Sequence, residues 1–165
     1  MFSEELLSLT FSNILVVLAL AASPISELRG AIPVAITVFD FPWYYAFLLA
    51  VIGNLLPVPF ILLFLNAFSK LLGKIGIFER MLQWFFKHTR QRGKIIERYE
   101  RIGLALFVAI PLPITGAWTG SVVAVLFGLR FKHALLSIFI GILIAGTIVT
   151  CATLLGWSIF ESWEA

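Results

Sequence analysis

The chain has 165 residues, of which 61% are hydrophobic and 13% are charged. A water-soluble domain of this length cannot bury so much apolar surface, so the composition excludes an ordinary soluble globular protein. The formal net charge of +3 does not indicate nucleic acid as a partner, because most of the basic residues lie in one segment between two apolar halves.

Four apolar runs approach or exceed about 20 residues, the length that a helix needs to cross a bilayer. They are residues 11–38, 43–69, 103–129 and 134–157. The sequence therefore predicts an all-α integral membrane protein that forms a single membrane domain over residues 1–165.

The basic residues are distributed asymmetrically. Nine of the twelve lie in the segment 70–102, and short basic loops stay on the cytoplasmic side of a membrane. If all four runs cross, this segment and the basic turn 129–133 fall on opposite sides. If runs 11–38 and 103–129 instead dip into the membrane and return, both are cytoplasmic, and we favour this two-crossing topology. An ordinary spanning helix over residues 6–26 is the alternative.

The first run contains two charged residues, Glu27 and Arg29, within the stretch SPISELRGAIPVAI. In a dipping segment they lie near mid-membrane, where an ionised group costs about 2.5–3.5 kcal/mol and marks a functional candidate. Residues two apart in a helix do not face each other, so these two can pair only where the backbone is not helical. Proline interrupts a helix, and the predicted breaks of the two dipping runs are Pro24, Pro33, Pro111 and Pro113. We also expect Ser23 to cap a new helix that begins at Pro24.

The second run contains a polar residue and two prolines in the stretch GNLLPVPF. Pro57 and Pro59 predict a kinked crossing helix. Asn54 either lines a polar cavity or serves helix packing, and the sequence leaves both interpretations open.

The segment 70–102 has apolar residues at helical spacing among basic ones, which is typical of an amphipathic helix at a membrane interface. We predict a cytoplasmic helical linker here. Its cluster Arg90, Arg92 and Lys94 is a candidate contact for anionic lipid headgroups.

The two dipping runs resemble one another. A shift of 89 residues aligns Pro-Ile-Ser at 24–26 with Pro-Ile-Thr at 113–115. We therefore predict an inverted-topology repeat of a re-entrant hairpin plus a transmembrane helix, with repeat 1 over about 1–69 and repeat 2 over about 103–165. The polar candidates for a substrate or proton pathway are Glu27, Arg29, Ser26, Asn54, Thr115 and Thr119.

Nothing in the sequence indicates enzymatic chemistry. His, Cys, Asp and Glu do not occur at the spacing of a metal site, and no glycine-rich phosphate loop is present. The hydroxyls of Thr115 and Thr119 have no neighbouring base. We expect neither an enzyme nor a cofactor.

The stretches SELRGAIPVAI, GNLLPVPF and AIPLPITGAWTGS, in this order around a basic loop, resemble the small multidrug export protein family of bacteria and archaea. That family is in turn similar to the DedA/VTT membrane proteins. The resemblance implies a protein of the prokaryotic plasma (inner) membrane with two re-entrant hairpins that face each other. For the DedA/VTT relatives it implies movement of lipids or lipid-phosphate carriers coupled to the proton gradient. It places the acidic re-entrant position at Glu27, whereas Trp118 stands at the offset that matches Arg29, where relatives bring an arginine.

Three functions follow from these observations. One is a secondary transporter of small molecules, or a lipid or lipid-phosphate translocase, whose site lies at the two hairpin tips and is gated by protonation of Glu27. The alternatives are a four-span proton-coupled multidrug exporter that uses the same carboxylate, and a membrane scaffold that transports nothing. We expect the bilayer and its anionic headgroups as partners. We also expect a homo-oligomer, with close helix approach at small residues of the last run such as Gly141, Ala145 and Gly146.

The two-crossing topology predicts one labelling pattern. Leu72→Cys and Phe131→Cys, each made in a Cys151→Ala background, should both react with a membrane-impermeant maleimide from the cytoplasmic side only. Reaction of the two sites from opposite sides would show four crossings instead.

Overall fold

The computed structural model of the chain describes residues 2–72, 93–112 and 115–164. Within these ranges the chain forms seven α-helices and no strand, so the predicted all-α class is confirmed for them. The helices are α1 Phe2–Ala22, α2 Glu27–Thr37, α3 Trp43–Leu55, α4 Pro57–Leu72, α5 Gly93–Ala109, α6 Ala117–Leu126 and α7 Phe131–Glu164.

Two helices of the described chain are long and apolar enough to cross a membrane. They are Trp43–Leu65, with 23 residues, and Phe131–Ile159, with 29 residues. They coincide with the second and fourth apolar runs, which the two-crossing topology takes across the bilayer. Shorter apolar stretches lie in α1 and α6. Re-entry of those stretches stays a prediction.

The first of these long helices continues past its two prolines. Only Leu56 separates α3 from α4, and its N–H donates a hydrogen bond to the carbonyl of Ile52 at 3.0 Å. Pro57 is the first residue of α4, a position where the missing N–H interrupts little because first-turn amides have few intrahelical partners. The span Trp43–Leu65 therefore contains both prolines and is interrupted only at Leu56.

The chain divides into two compact units. The first consists of residues Met1–Leu56 and Ile142–Ala165, and so contains α1, α2, α3 and most of α7. The second consists of Pro57–Gly141 and contains α4, α5, α6 and the beginning of α7. Each unit thus holds one of the two predicted hairpins.

In the first unit, α1, α2 and α3 pack against one another in pairs. A Cβ atom added to Gly53 of α3 would lie 2.7 Å from the Cβ of Ala21 and 2.9 Å from the carbonyl oxygen of Leu18. The absence of a side chain therefore lets α3 approach α1 closely. Because Ala21 lies in the last turn of α1, the end of α3 is placed beside the turn that joins α1 to α2.

In the second unit, α6 packs against α4 and α5. Val108 of α5 fills the space left by two glycines. A Cβ atom on Gly120 or on Gly141 would collide with its side chain, at 2.6 Å from the Val108 Cβ in the case of Gly141. The α5 helix also joins the end of the predicted linker to the third apolar run in one continuous segment.

The small residues of α7 are used for packing inside the chain. Gly141 lies against α5, and a Cβ atom on Gly146 would lie 2.9 Å from the ring of Phe47 in the first unit. Ala145 is buried as well. The close helix approach expected at these positions therefore occurs within each unit, and self-association stays a prediction.

The 89-residue shift also relates helix boundaries. Residues 27–37 of α2 would move to 116–126, and α6 occupies Ala117–Leu126. The start of α3 at Trp43 would move to 132, and α7 begins at Phe131. Both halves therefore have the same order of helix, short turn, short helix and long helix. Their inverted orientation in a membrane stays a prediction.

The close approach at Gly53 predicts a contrast between two glycines. Gly53→Ala should lower the free energy of unfolding by about 1–3 kcal/mol, because its methyl group has no space beside α1. Gly156→Ala is the control, since nothing lies within 4 Å of its Cβ position on α7, and it should raise stability by about 0.5–1 kcal/mol. Unfolding of the detergent-solubilised protein measures both, and equal effects would contradict the packing described.

Candidate functional site

The turn between α1 and α2 is held by two serine side chains. The Ser26 hydroxyl donates to the carbonyl of Leu20 at 2.6 Å, and the Ser26 N–H donates to the Ser23 hydroxyl at 3.2 Å. The two hydroxyl oxygens are 2.9 Å apart. Side chains thus satisfy backbone groups that the end of α1 leaves without helical partners. Pro24 lies inside this turn.

The second helix begins later than the sequence predicts. We expected α2 to start at Pro24, but it starts at Glu27. Ser23 closes a single turn, since its carbonyl accepts the Glu27 N–H at 3.3 Å. Glu27 then adopts φ 47°, in the left-handed region, so the right-handed helix cannot run through it.

Glu27 combines three unusual properties. Its side chain is buried, with 5% of the residue exposed. It carries a charge in an apolar bundle, and its backbone is left-handed at a cost of roughly 1–2 kcal/mol for a residue with a Cβ atom. Strained backbone of this kind persists where the surrounding structure enforces it, and it concentrates at functional sites. We therefore take Glu27 as the centre of the candidate site.

Arg29 supplies the counter-charge. Its Nη2 lies 3.3 Å from the Glu27 Oε2, and its side chain is 23% exposed. Two residues at this spacing do not face each other on a regular helix. Because Glu27 has a left-handed backbone, this restriction does not apply to it. The sequence analysis expected pairing only where the backbone departs from a regular helix.

Gly30 completes the first turn of α2. A Cβ atom at this position would lie 2.7 Å from the Cβ of Ser26, and the Gly30 N–H donates to the Ser26 carbonyl at 3.0 Å. The helix can fold closely over Ser26 only because residue 30 is glycine. Sequence reasoning did not select Gly30, although its place directly after Arg29 was visible.

Asn54 lies at the same end of the three-helix bundle as Glu27. Its neighbour Gly53 touches the last turn of α1, and Glu27 follows the turn that leaves α1. Asn54 is 1% exposed, and its Oδ1 has no hydrogen-bond partner in the described part of the chain. An amide that served helix packing would form hydrogen bonds across the interface. The unsatisfied Oδ1 is consistent with the polar-site interpretation of this residue, which stays a prediction.

The turn between α5 and α6 repeats the local chemistry of the first turn. The Thr115 hydroxyl donates to the carbonyl of Ile110, at the end of the preceding helix, and accepts the Leu112 N–H at 3.2 Å. Thr115 is the residue that the 89-residue shift pairs with Ser26. Pro111 lies in this turn, whereas Pro113 is outside the described residues. Thr119 lies on α6 and is half-buried.

The helix α2 is not broken at Pro33, contrary to the prediction. Pro33 lies inside α2. Its ring removes one backbone hydrogen bond, to the Arg29 carbonyl, but the face formed by Ala31, Ile32 and Ala35 is completely buried. Packing of this face on the neighbouring helices keeps the backbone helical.

Most of the residues predicted to contact lipid headgroups lie outside the described ranges. Arg90 and Arg92 lie outside the described residues. Lys94 lies in α5, but its side chain is not among those described. The contact with anionic lipid stays a prediction.

An apolar groove of about 440 Å³ lies between α3 and α7 in the first unit. Its lining residues are Trp43, Phe47, Thr147, Thr150, Cys151 and Leu154. The hydroxyls of Thr147 and Thr150 donate to carbonyls of their own helix at 2.9 and 2.8 Å. Both threonine hydroxyls of the groove are therefore already engaged, while the thiol of Cys151 is free and exposed. The groove lies near the start of α3, away from Asn54.

One protein-family model matches residues 27–148, and its description is "Putative small multi-drug export protein". The match covers well over half of the chain and begins at Glu27 itself. The chain belongs to this family. The resemblance seen in the sequence is confirmed at this level, while kinship with the DedA/VTT proteins stays a prediction. No curated protein and no solved structure matches the chain.

The segment that matches the export family contains most of the candidate residues. The matched segment includes the pair Glu27 and Arg29, the buried Asn54 and the second turn with Thr115. Together with two helices able to cross a bilayer, it identifies a membrane protein of an export family. The family description names no residue, so the site rests on the geometry above.

The buried pair predicts non-additive stability changes. Arg29→Ala should destabilise the protein, because it leaves the Glu27 carboxylate buried without its cation. The loss is about 3–5 kcal/mol for a fully buried pair and smaller here because Arg29 is partly exposed. Glu27→Gln combined with Arg29→Ala should be more stable than Arg29→Ala alone. Thermal unfolding of the four proteins of this cycle measures the coupling, and additive changes would contradict the pairing.

Proposed function

We propose that this member of the export family is a transporter of small amphipathic molecules that is coupled to the proton gradient through Glu27. The observation that carries the proposal is the buried ion pair of Glu27 and Arg29 at the left-handed start of α2. A carboxylate held in an apolar bundle is the usual kind of proton carrier in membrane proteins.

Proton binding would change this site in a defined way. The ionised carboxylate of Glu27 only accepts hydrogen bonds, and it attracts Arg29. When it takes a proton from the aqueous phase it becomes neutral, and the attraction to the guanidinium is lost. The two protonation states therefore favour different local arrangements, which a gradient can populate in turn.

A purely structural role does not account for the pair. Replacement of a buried ion pair by apolar residues is often neutral or stabilising. Glu27 adds the cost of a left-handed backbone to the cost of a buried charge. A scaffold does not need a buried charge or a left-handed backbone at this position. A proton carrier does need the carboxylate.

Within the first unit, the proposal gives the candidate residues different roles. The hydroxyls of Ser23 and Ser26 are engaged with each other and with the backbone of the turn. They hold Glu27 in place, and binding a substrate would require them to release the turn. Glu27, Arg29 and Asn54 remain as the groups that can respond to a proton or a substrate. Headgroup contacts of the basic linker and self-association belong to the proposal as expectations only.

The direct test is transport in proteoliposomes under an imposed pH gradient, with ethidium as the probe. Glu27→Gln should reduce gradient-driven ethidium transport to the level of protein-free liposomes, because glutamine cannot carry the proton. Expression and thermal unfolding should stay close to those of the wild type.

Asp40→Asn is the matched control for this experiment. Asp40 is also an acidic residue with a left-handed backbone, at φ 51°, but it is exposed. Its neutralisation should leave transport unchanged. Full gradient-driven transport by Glu27→Gln would instead support the scaffold, or an interfacial position for this carboxylate.

A further inference from the structure

Asn54 is a buried polar group that the ion pair does not use. It is 1% exposed, and its Oδ1 has no hydrogen-bond partner among the described residues. A buried carbonyl without a donor costs about 1–3 kcal/mol. Such a group calls for an explanation, for example a donor that is present in another state of the protein.

The chain directions place this acceptor at the end of the bundle that holds the Glu27 carboxylate. α1 ends at Ala22, α2 begins at Glu27 and runs away from the turn, and α3 returns so that Gly53 touches Ala21. Glu27 and Asn54 therefore lie at one end of the bundle formed by α1, α2 and α3. Both are almost completely buried.

The other ionisable residues in the sequences of α1 and α3 fall in the first turn of each helix, at the end of the backbone opposite Gly53. α1 carries Glu4 and Glu5 in its first turn, and α3 carries Tyr44 and Tyr45 in its first turn. Arg29, on α2 itself, is the charged group at the Glu27 carboxylate. Glu27 is therefore the ionisable residue that we consider as a donor to Asn54. Its carboxyl group gains an O–H donor when it takes up a proton.

We infer that Asn54 is the hydrogen-bond acceptor for the protonated form of Glu27, a positioning role that rests on the proposed function. The carboxylate is paired with Arg29, and the Asn54 Oδ1 has no hydrogen-bond donor among the described residues. A proton from water adds to a carboxylate oxygen, and the new O–H donates to the Asn54 Oδ1. Arg29 keeps its proton throughout. Asn54 thus stabilises the neutral form of the carrier and defines the second position of its side chain.

The test is a pH titration of the carboxylic acid C=O band by infrared difference spectroscopy of the full chain in liposomes. The Glu27 band is the one missing from Glu27→Gln. Asn54→Leu removes the acceptor and therefore disfavours the protonated form. The pH at which half of Glu27 is protonated should fall by about one unit, which corresponds to one ordinary hydrogen bond. The band itself should move to higher wavenumber.

Thr150→Val is the control for this titration. It also replaces a buried polar side chain of the first unit, but the Thr150 hydroxyl already donates to the Gly146 carbonyl at 2.8 Å. It should leave the midpoint and the wavenumber of the Glu27 band unchanged.

Stability provides a second measurement. At a pH where Glu27 is ionised, Asn54→Leu should unfold at a temperature equal to or above that of the wild type, because leucine leaves no carbonyl unsatisfied. Loss of folding in this variant would overturn the inference, since it would show that Asn54 holds the resting structure together.

The outcomes separate the inference from the proposed function. A lowered midpoint in Asn54→Leu supports the acceptor role even if ethidium transport does not depend on Glu27, and in that case the transport proposal alone fails. An unchanged midpoint in a folded Asn54→Leu overturns the acceptor role, even where transport requires Glu27.

Discussion

The burial of one carboxylate in an apolar bundle is the constraint on which the rest of the site depends. Glu27 needs a cation, and Arg29 can reach it because Glu27 has a left-handed backbone. Two serine hydroxyls hold the turn that precedes Glu27, and Gly30 lets α2 close over that turn. A buried charge and a left-handed backbone are each costly, and both occur at Glu27.

Small residues let the helices around this arrangement pack closely. Gly53 brings α3 against α1, and the fully buried Ala31 and Ala35 lie on the face of α2 within the same unit. The contact at Gly53 places Asn54 at the end of the bundle that holds the ion pair. The residue that packs α3 against α1 is therefore the direct neighbour of the buried amide at the ion-pair end of the bundle.

The sequence predicted much of the fold because hydrophobic length and proline position act locally. The all-α class, the two helices long enough to cross and the turns around Pro24 and Pro111 follow from residues close together in the chain. The same reasoning failed at Pro33, where the buried face of α2 outweighs one lost hydrogen bond. It also placed the start of α2 too early, because a left-handed Glu27 is not a property of glutamate itself.

The sequence by itself determined that two charges lie within an apolar run and that the chain belongs to an export family. Charge and hydropathy are read directly from residue types, so no fold is needed to find them. Only the tertiary structure decided that Glu27 is buried and paired at 3.3 Å, and that the Asn54 Oδ1 has no hydrogen-bond donor among the described residues. Burial and hydrogen bonding depend on which helices come together, and that is set by contacts between residues distant in the chain.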